Sequence, residues 1–227
     1  MLTDFHSHIL PGIDDGSKRV SDSLAMLKIL RSQGVERVIF TPHFYAHRNE
    51  SVNSFIKRRQ RAYNMLKKHN LPMKDVRLGA EIAIEKGISN AANIDKLAIQ
   101  GTKLILLELP YKAYADWMSE EIYDIYCTYK VMPIIAHVHR YLNYYSKAEI
   151  QTILNSRAIF QINNEAFSSW KERRFVRNLI KEGYPLVFGS DCHNLDKRKP
   201  NFDLLKKKNK KANIINDSND IFDEYII

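Results

Sequence analysis

The 227-residue sequence has little of several features that define other classes of protein. Its two cysteines, Cys127 and Cys192, are too few for a disulfide framework. No apolar run reaches the roughly 18 residues that a membrane-spanning helix requires. The opening residues carry Asp4 and two histidines where a signal peptide would need an uninterrupted apolar segment. We therefore expect a cytoplasmic protein without membrane insertion.

The composition is that of a globular protein with an excess of positive charge. Hydrophobic residues make up 44% and charged residues 27% of the chain, and the formal net charge is +9. Basic residues cluster at Lys57, Arg58, Arg59 and Arg61 and again between Lys206 and Lys211. This excess raises the hypothesis of a nucleic-acid-binding or nuclease module. Because exposed basic faces are commonly only solvated, we consider nucleic acid an unlikely partner.

Apolar segments alternate with amphipathic ones along the chain. The predicted strands are Leu2–Phe5, Val35–Thr41, Val76–Ala80, Lys103–Leu109, Val131–Ala136, Ala158–Ile162 and Pro185–Ser190. The predicted helices are Asp22–Gln33, Phe55–His69, Trp117–Lys130, Lys147–Ser156 and Ser169–Glu182. This order favours an α/β fold with a parallel sheet. We expect a seven-stranded (β/α) barrel over residues 1–200, with an open doubly wound sheet as the alternative. Residues 201–227 are expected to form a peripheral, lysine-rich tail of the same domain, with one helix and a loose end.

Histidines and carboxylates follow almost every predicted strand. They are His6, His8, His43, Glu81, Glu108, His137, His139, Asp191 and His193. The strand before Asn163 and Asn164 is the exception. In a parallel barrel the carboxyl ends of the strands share one face, where barrel enzymes keep their active sites. A single histidine at a strand end would be an ordinary polar residue. The presence of histidine or carboxylate at six of seven strand ends instead favours a site for several metal ions.

The types of candidate ligand limit which metal ions could bind and which reaction they could support. Imidazoles and carboxylates without a thiolate suit Mn²⁺, Fe or Zn²⁺. The four acids Asp14, Glu81, Glu108 and Asp191 would repel one another in one pocket without cations between them. Closely spaced metal ions are the arrangement used for hydrolytic attack on phosphate esters. We therefore expect a phosphomonoesterase in which a metal-activated hydroxide attacks phosphorus without a covalent enzyme intermediate.

Six sequence motifs, in order, carry a resemblance to a known family. They are DFHSHILPGIDDG, TPHF, GAEI, LLELP, IIAHVHRY and GSDCHNLDKRKP, and they span Met1 to about Pro200. Together they resemble the PHP (polymerase and histidinol phosphatase) superfamily, and within it the manganese-dependent protein-tyrosine phosphatases of bacterial capsule and exopolysaccharide loci. The resemblance implies a distorted, TIM-like barrel of seven strands with three Mn²⁺ ions at the carboxyl ends of its strands. It also implies a phosphotyrosine protein as partner, namely the tail of the cognate exopolysaccharide-assembly tyrosine kinase.

The resemblance also implies a role for each site residue. By position in the motifs, the first metal would be held by His6, His8, Glu81 and Asp191, the second by Glu81, Glu108 and His137, and the third by Asp14, His43 and His193. Arg140 and Arg198 match the phosphate-binding arginines of the family, whose planar forks suit phosphate oxygens. The chain has His139 where the family motif AHPERY has glutamate. We therefore leave open whether His139 is a spectator, a supporting group or a proton donor.

Cys192 and Arg198 reproduce by spacing the signature of cysteine-dependent tyrosine phosphatases. The intervening residues contain no glycine and include Asp196, which would repel a phosphate. We therefore interpret Cys192 as a small buried thiol beside the metal site rather than a nucleophile.

The sequence leaves three other functions open. They are a small-molecule phosphoesterase such as histidinol-phosphate phosphatase, the nuclease module, and an inactive barrel acting as an adaptor. The tyrosines at predicted strand ends, where rings could flank a phosphotyrosine, are Tyr45, Tyr111, Tyr114 and Tyr141.

Overall fold

The structure is a computed structural model that describes residues 1–48, 50–208 and 214–227. Its strands are β1 (Thr3–Ser7), β2 (Arg37–Phe40), β3 (His43–Phe44), β4 (Asp75–Leu78), β5 (Glu81–Ala83), β6 (Leu104–Glu108), β7 (Met132–Ile135), β8 (Ile159–Asn163) and β9 (Leu186–Gly189). Its α-helices are α1 (Val20–Ser32), α2 (Val52–Lys67), α3 (Trp117–Tyr129), α4 (Lys147–Leu154), α5 (Trp170–Lys181), α6 (Phe202–Lys208) and α7 (Ile214–Glu224). Two 3₁₀ helices, Val138–Asn143 and Asn164–Phe167, follow β7 and β8.

The strands form two parallel sheets, which confirms the predicted α/β fold. The smaller sheet has the order β1-β2-β4 and the larger has the order β3-β5-β6-β7-β8-β9. A closed barrel of seven strands is not seen among the described residues. Two predicted strands are instead each divided in two, because β2 ends before Pro42, which has no N–H to donate, and β4 ends before Gly79.

Backbone hydrogen bonds join the two sheets between β1 and the residues after β9. The N–H of Asp191 donates to the carbonyl of His6 at 2.8 Å, and the N–H of His8 donates to the carbonyl of Cys192 at 2.9 Å. Gly189 permits this approach, since a Cβ there would lie 2.7 Å from the Cβ of His6 and 2.9 Å from its backbone nitrogen. The junction therefore fixes β1 and its histidines against the end of β9.

The side chains of the buried strands alternate between two hydrophobic clusters. In β6, Leu104 and Leu106 pack with Phe5 between the sheets, whereas Ile105 and Leu107 face the helices. Such strands are buried on both faces, which explains the continuous apolar run LILL in the sequence. The interior is therefore a packed apolar core, and among its few buried polar side chains are Asp4 of β1 and Gln161 of β8.

The C-terminal segment contributes to this core. Phe202 is fully buried in the helix-facing cluster, and Phe222 of α7 packs edge-to-face on Phe5 with ring centroids 6.0 Å apart. The prediction of a loose end is thus wrong for residues 214–224, which form the amphipathic helix α7. The helix was not predicted because this segment is mostly polar. The predicted basic run Lys206–Lys211 lies partly outside the described residues. None of the helices in the described ranges has both the length and the apolar character needed to cross a membrane.

A methyl group at the sheet junction tests its importance. We expect Gly189→Ala to lower the free energy of unfolding by about 1–3 kcal/mol, because the added carbon overlaps His6 in a packed core. Gly79→Ala is the matched control, since its Cβ would meet only side-chain carbons at 3.3 Å or more. Urea denaturation followed by circular dichroism measures both. Equal effects of the two variants would show that the junction is not tightly constrained.

Candidate metal centre

The carboxyl ends of the parallel strands bring a cluster of imidazoles and carboxylates together. The clustered residues that the sequence singled out are His6, His8, His43, Glu81, Glu108, His137, Asp191 and His193. Most of these side chains are almost fully buried, and His43 and Glu108 are the most accessible at 14% and 13%. The cluster arises because each of these residues lies within a few residues of the carboxyl end of β1, β2, β4, β6, β7 or β9.

Glu81, at the start of β5, lies at the centre of the cluster. One of its oxygens, Oε2, lies 3.1 Å from the Nε2 atoms of His6 and His8 and 3.1 Å from the Nδ1 atom of His43. The other, Oε1, lies 2.8 Å from Nε2 of His137. Burial opposes ionisation of Glu81, but the surrounding imidazoles His6 and His43 hold its pKa well below the usual range. Glu81 can therefore bridge two ions as a carboxylate.

Three groups of side chains could each hold a metal ion. The groups are His6, His8 and Glu81; His43, Glu81 and Glu108; and His8, Asp15, His43 and His193. Asp191 borders the first group, with Oδ1 at 3.6 Å from His6 and 3.4 Å from His8. The groups share members, as expected of a centre with several ions and bridging ligands.

The two neighbouring aspartates in the loop after β1 have different positions. Asp15 directs its carboxylate at the cluster, with Oδ1 3.5 Å from Nε2 of His43 and 3.4 Å from Nε2 of His193. Asp14 instead accepts hydrogen bonds from Nδ1 of His8 at 2.7 Å and from the backbone N–H groups of Gly16 and His43. The candidate ligand in this loop is thus Asp15, which the sequence analysis missed, whereas Asp14 orients His8.

Several polar atoms of the cluster are buried without a hydrogen bond. They are Nδ1 of His43, Nε2 of His193 and Oδ1 of Asp191. Buried polar atoms in proteins are nearly always satisfied, so each of these requires a partner. Nitrogen and oxygen donors facing a common space are the donor set of a transition-metal ion. The residues present therefore fit divalent cations.

Polar side chains behind the cluster fix the orientation of its members. The amide oxygen of Gln161 lies 3.1 Å from Nδ1 of His6 and accepts the backbone N–H of His137 at 2.7 Å. The amide nitrogen of Asn163 donates to Oδ2 of Asp191 at 2.9 Å. Such supporting contacts select the tautomer of a ligand histidine. The strand that offered no ligand, β8, thus supplies the support instead.

Both predicted arginines lie at the edge of the cluster and contact the same carboxylate oxygen. Nη2 of Arg140 lies 2.9 Å and Nη2 of Arg198 lies 2.7 Å from Oδ2 of Asp191. Arg140 also contacts Glu165, a carboxylate that the sequence analysis did not single out. The side chains of Arg140 and Arg198 are 28% and 37% exposed, so both can be reached from solvent.

His139 differs from the other predicted site residues. Its side chain is fully buried, neither ring nitrogen has a hydrogen-bond partner, and its closest carboxylate oxygen, Oε1 of Glu165, is 4.0 Å away. Burial lowers the pKa of His139 to about 4. The neutral ring is therefore unsuited to donating a proton near neutral pH.

Two of the four singled-out tyrosines flank the cluster. Tyr45 stacks on His43 with ring centroids 5.2 Å apart, and the hydroxyl of Tyr111 lies 3.2 Å from Nδ1 of His137. Tyr141 is instead fully buried and accepts the N–H of Leu109, and Tyr114 bonds the hydroxyl of Ser119. Aromatic rings thus border the site at His43 and at His137.

Cys192 is buried in the hydrophobic core. Burial raises the pKa of its thiol well above the usual value, and its backbone N–H donates to the hydroxyl of Ser190. A nucleophilic cysteine needs an accessible thiolate with a lowered pKa. The geometry therefore opposes a cysteine mechanism, as the sequence analysis expected.

The basic run of α2 is largely used within the fold. Arg58 forms an ion pair with Glu50 and donates to the carbonyl of Ile13. Arg59 is buried and donates to the carbonyl of Gly79. These contacts neutralise Arg58 and bury Arg59, whereas Lys57 and Arg61 of the same run remain exposed.

Known proteins resemble the chain along most of its length. A family model described as "Capsular polysaccharide synthesis, CpsB/CapC" matches residues 2–222. The tyrosine-protein phosphatase YwqE of Bacillus subtilis (strain 168) is 29% identical over 145 residues, which cover 61% of this chain and 55% of YwqE. The tyrosine-protein phosphatase CpsB of Streptococcus agalactiae serotype III is 24% identical over 215 residues, or 88% of this chain and 86% of CpsB.

A solved structure extends this resemblance to the fold. It belongs to the crystal structures of YwqE from Bacillus subtilis and CpsB from Streptococcus pneumoniae, described as unique metal-dependent tyrosine phosphatases. The TM-score is 0.75 at 23% identity, covering 93% of this chain and 87% of that one. The arrangement of strands and helices is therefore shared with these proteins.

The two neighbouring aspartates can be separated by metal binding. We expect Asp15→Asn to lose one bound Mn²⁺ per chain after desalting, because it removes a ligand atom. Asp14→Asn should retain all ions, with affinity weakened by roughly 10- to 100-fold, because an amide oxygen can still accept the hydrogen bond of His8. Elemental analysis and the rise of melting temperature with Mn²⁺ measure both effects. The opposite order of the two variants would make Asp14 the ligand.

Proposed function

The chain belongs to the CpsB/CapC capsular polysaccharide synthesis family, and we propose on that basis that it is a metal-dependent protein-tyrosine phosphatase of the non-cysteine type. The observation that carries the proposal is the convergence of strand-end imidazoles and carboxylates on Glu81, with two accessible arginines beside them. The substrate that we propose is phosphotyrosine in a protein, namely the tail of a tyrosine kinase for exopolysaccharide assembly. The free thiols of Cys127 and Cys192 suit a reducing cytoplasm.

We propose that three Mn²⁺ ions occupy the centre. The first would be held by His6, His8, Glu81 and Asp191, the second by Glu81, Glu108 and His137, and the third by Asp15, His43 and His193. In the third set, Asp15 replaces the Asp14 that was expected from the sequence. Bound divalent metal supplies Lewis-acid chemistry, since it lowers the pKa of water and polarises phosphoryl oxygens.

The two arginines are proposed to orient the phosphate. Each guanidinium can donate two parallel hydrogen bonds to phosphoryl oxygens, which fixes the phosphorus for in-line attack. Without a phosphate, Asp191 and Glu165 share these donors. Phosphate binding thus requires Arg140 to exchange the contact with Glu165, and the exposed position of Glu165 permits that exchange.

The remaining chain groups shape the pocket rather than transfer protons. Tyr45 and Tyr111 are placed to flank the phenyl ring of a phosphotyrosine. Phenolate is a good leaving group, so the reaction depends little on a strong general acid. The buried, neutral His139 then acts as packing behind Arg140, and not as the proton donor.

The two sheets are proposed to act as one distorted, seven-stranded barrel. Counting β2 with β3 and β4 with β5 leaves seven strand segments, and the His6–Asp191 and His8–Cys192 hydrogen bonds supply a closure between β1 and β9. We further propose that residues 1–200 form the catalytic unit and that residues 201–227 belong to the same domain. Burial of Phe202 and Phe222 in the shared core supports the assignment of residues 201–227 to the same domain.

Metal removal and a cysteine variant test the proposed chemistry together. We expect exhaustive chelation to abolish hydrolysis of a phosphotyrosine peptide and Mn²⁺ to restore it. The Cys192→Ser variant should hydrolyse the peptide at a rate within about threefold of that of the unchanged protein, because the thiol takes no part in the reaction. Phosphate release measures the rates, and histidinol phosphate is the comparison substrate. Activity after full metal removal, or faster hydrolysis of histidinol phosphate, would contradict the proposal.

The pair Arg140 and Glu165 yields a second test. Arg140→Lys should lower kcat/KM by roughly 100-fold, because a point charge replaces the planar fork. Glu165→Gln should strengthen inhibition by inorganic phosphate by roughly threefold to fivefold, since it removes a competing charge from Arg140. Steady-state kinetics with and without phosphate measure both changes. Weaker inhibition in Glu165→Gln would show instead that Glu165 holds Arg140 in place for the substrate.

A further inference from the structure

A groove lies between α4 and α5, outside the metal centre. It has a volume of about 800 Å³. Its apolar lining includes Ile150 and Leu154 of α4 and Phe175 and Leu179 of α5. Trp170, at the start of α5, lines the same groove and is 67% exposed. An exposed tryptophan beside an aliphatic floor is typical of a surface that binds a polypeptide.

The rim of this groove is basic. Lys147, Lys171 and Arg174 line it together with one carboxylate, that of Glu182, so positive charge predominates. Arg173 and Arg177 line an adjoining depression against Trp170. Within the described part of the chain, none of these five cations forms an ion pair with a carboxylate. The guanidinium of Arg174 lies 5.6 Å from the centroid of the Trp170 ring. The rim thus differs from α2, where Arg58 is neutralised by Glu50.

The groove borders the chain segment that carries Arg140, since Leu142 at the end of that 3₁₀ helix belongs to its lining. Lys171 donates to the carbonyl of Leu142 at 3.0 Å and to the side chain of Asn143, at the end of the 3₁₀ helix that carries Arg140. Aromatic rings extend from the centre toward the groove, where Tyr145 is part of the lining. The successive ring pairs are His137 with Tyr111 at 5.8 Å, Tyr111 with Tyr141 at 5.8 Å, and Tyr141 with Tyr145 at 5.3 Å.

We infer that this groove binds an acidic segment of the protein substrate, adjacent to the tyrosine whose phosphate enters the metal centre. The inference rests on the proposed phosphatase function and names the chemistry of its substrate. The unpaired cations complement Asp and Glu side chains, and the aliphatic floor accepts the apolar parts of a peptide. A nucleic acid would not use that floor, so an acidic polypeptide is the occupant that the lining favours.

The test compares kcat/KM for two phosphotyrosine peptides with Mn²⁺-loaded protein. One peptide has Asp and Glu around the phosphotyrosine, and the other has Asn and Gln at the same positions. We expect a preference of roughly tenfold for the acidic peptide at low salt, carried mainly by KM and lost in high salt. Lys147→Glu with Arg174→Glu should abolish this preference. The matched control, Lys57→Glu with Arg61→Glu on α2, makes the same change of charge at exposed positions and should retain it.

A binding measurement separates failure of this inference from failure of the proposed function. Trp170 and Trp117 are the two tryptophans of the chain, so a Trp117→Phe background reports on Trp170 alone. Binding of the unphosphorylated acidic peptide should change the fluorescence of Trp170. The Lys147/Arg174 double variant should bind this peptide roughly tenfold more weakly. Absent hydrolysis of p-nitrophenyl phosphate would refute the phosphatase proposal while leaving this titration decisive. The inference would be overturned if the Lys147/Arg174 variant kept the preference for the acidic peptide, or if the control variant lost it to the same extent. Tighter binding of a single-stranded oligonucleotide than of the acidic peptide would also overturn it.

Discussion

The carboxylate of Glu81 is the contact on which the candidate site depends. Its two oxygens face imidazoles from β1, β3 and the loop after β7, so one side chain links both sheets at the strand ends. A buried carboxylate is costly unless positive charge or metal compensates it. The fold supplies positive charge by placing histidines near the carboxyl ends of neighbouring strands. The same requirement explains why the apolar core stops abruptly at this face, and why the space beyond it is lined by donors suited to cations.

Parallel strands made much of this cluster predictable. His6 follows the first strand and His137 the fifth, and strands that run in one direction must bring their ends to one face. Asp15 was missed for a local reason, because Asp14 and Asp15 are chemically identical neighbours and only the backbone of the loop decides which one faces the cluster. Glu165 was missed because it lies in a 3₁₀ helix beyond its strand, where no periodic pattern marks it. The direction of a side chain in a loop is thus not determined by the sequence pattern that predicts the strands.

The division of two predicted strands has a similar origin. The hydrophobic pattern extends across Pro42 and Gly79, but these residues interrupt the regular ladder while the chain continues in the same direction. The interruption shifts His43 and Glu81 into short strands of the second sheet, where they pair in register with each other. A pattern of apolar residues gives the path of the chain, whereas proline and glycine decide where its hydrogen bonding changes. This change of sheet is what places His43 opposite Glu81.

The net charge of +9 is a poor guide to partners until its positions are known. In α2, Arg58 and Arg59 support the fold, and at the centre Arg140 and Arg198 face Asp191, so these four arginines are engaged within the molecule. Within the described residues, the cations Lys171, Arg173, Arg174 and Arg177 of α5 form no ion pair, and Lys171 contacts the segment that carries Arg140. Screening in physiological salt leaves their field effective over about 8 Å, which exceeds the length of a hydrogen bond, so the field acts before contact. Attraction of an acidic segment by α5 would therefore raise the encounter rate, whereas the proposed role of the arginines at the centre would begin only once the phosphate is bound.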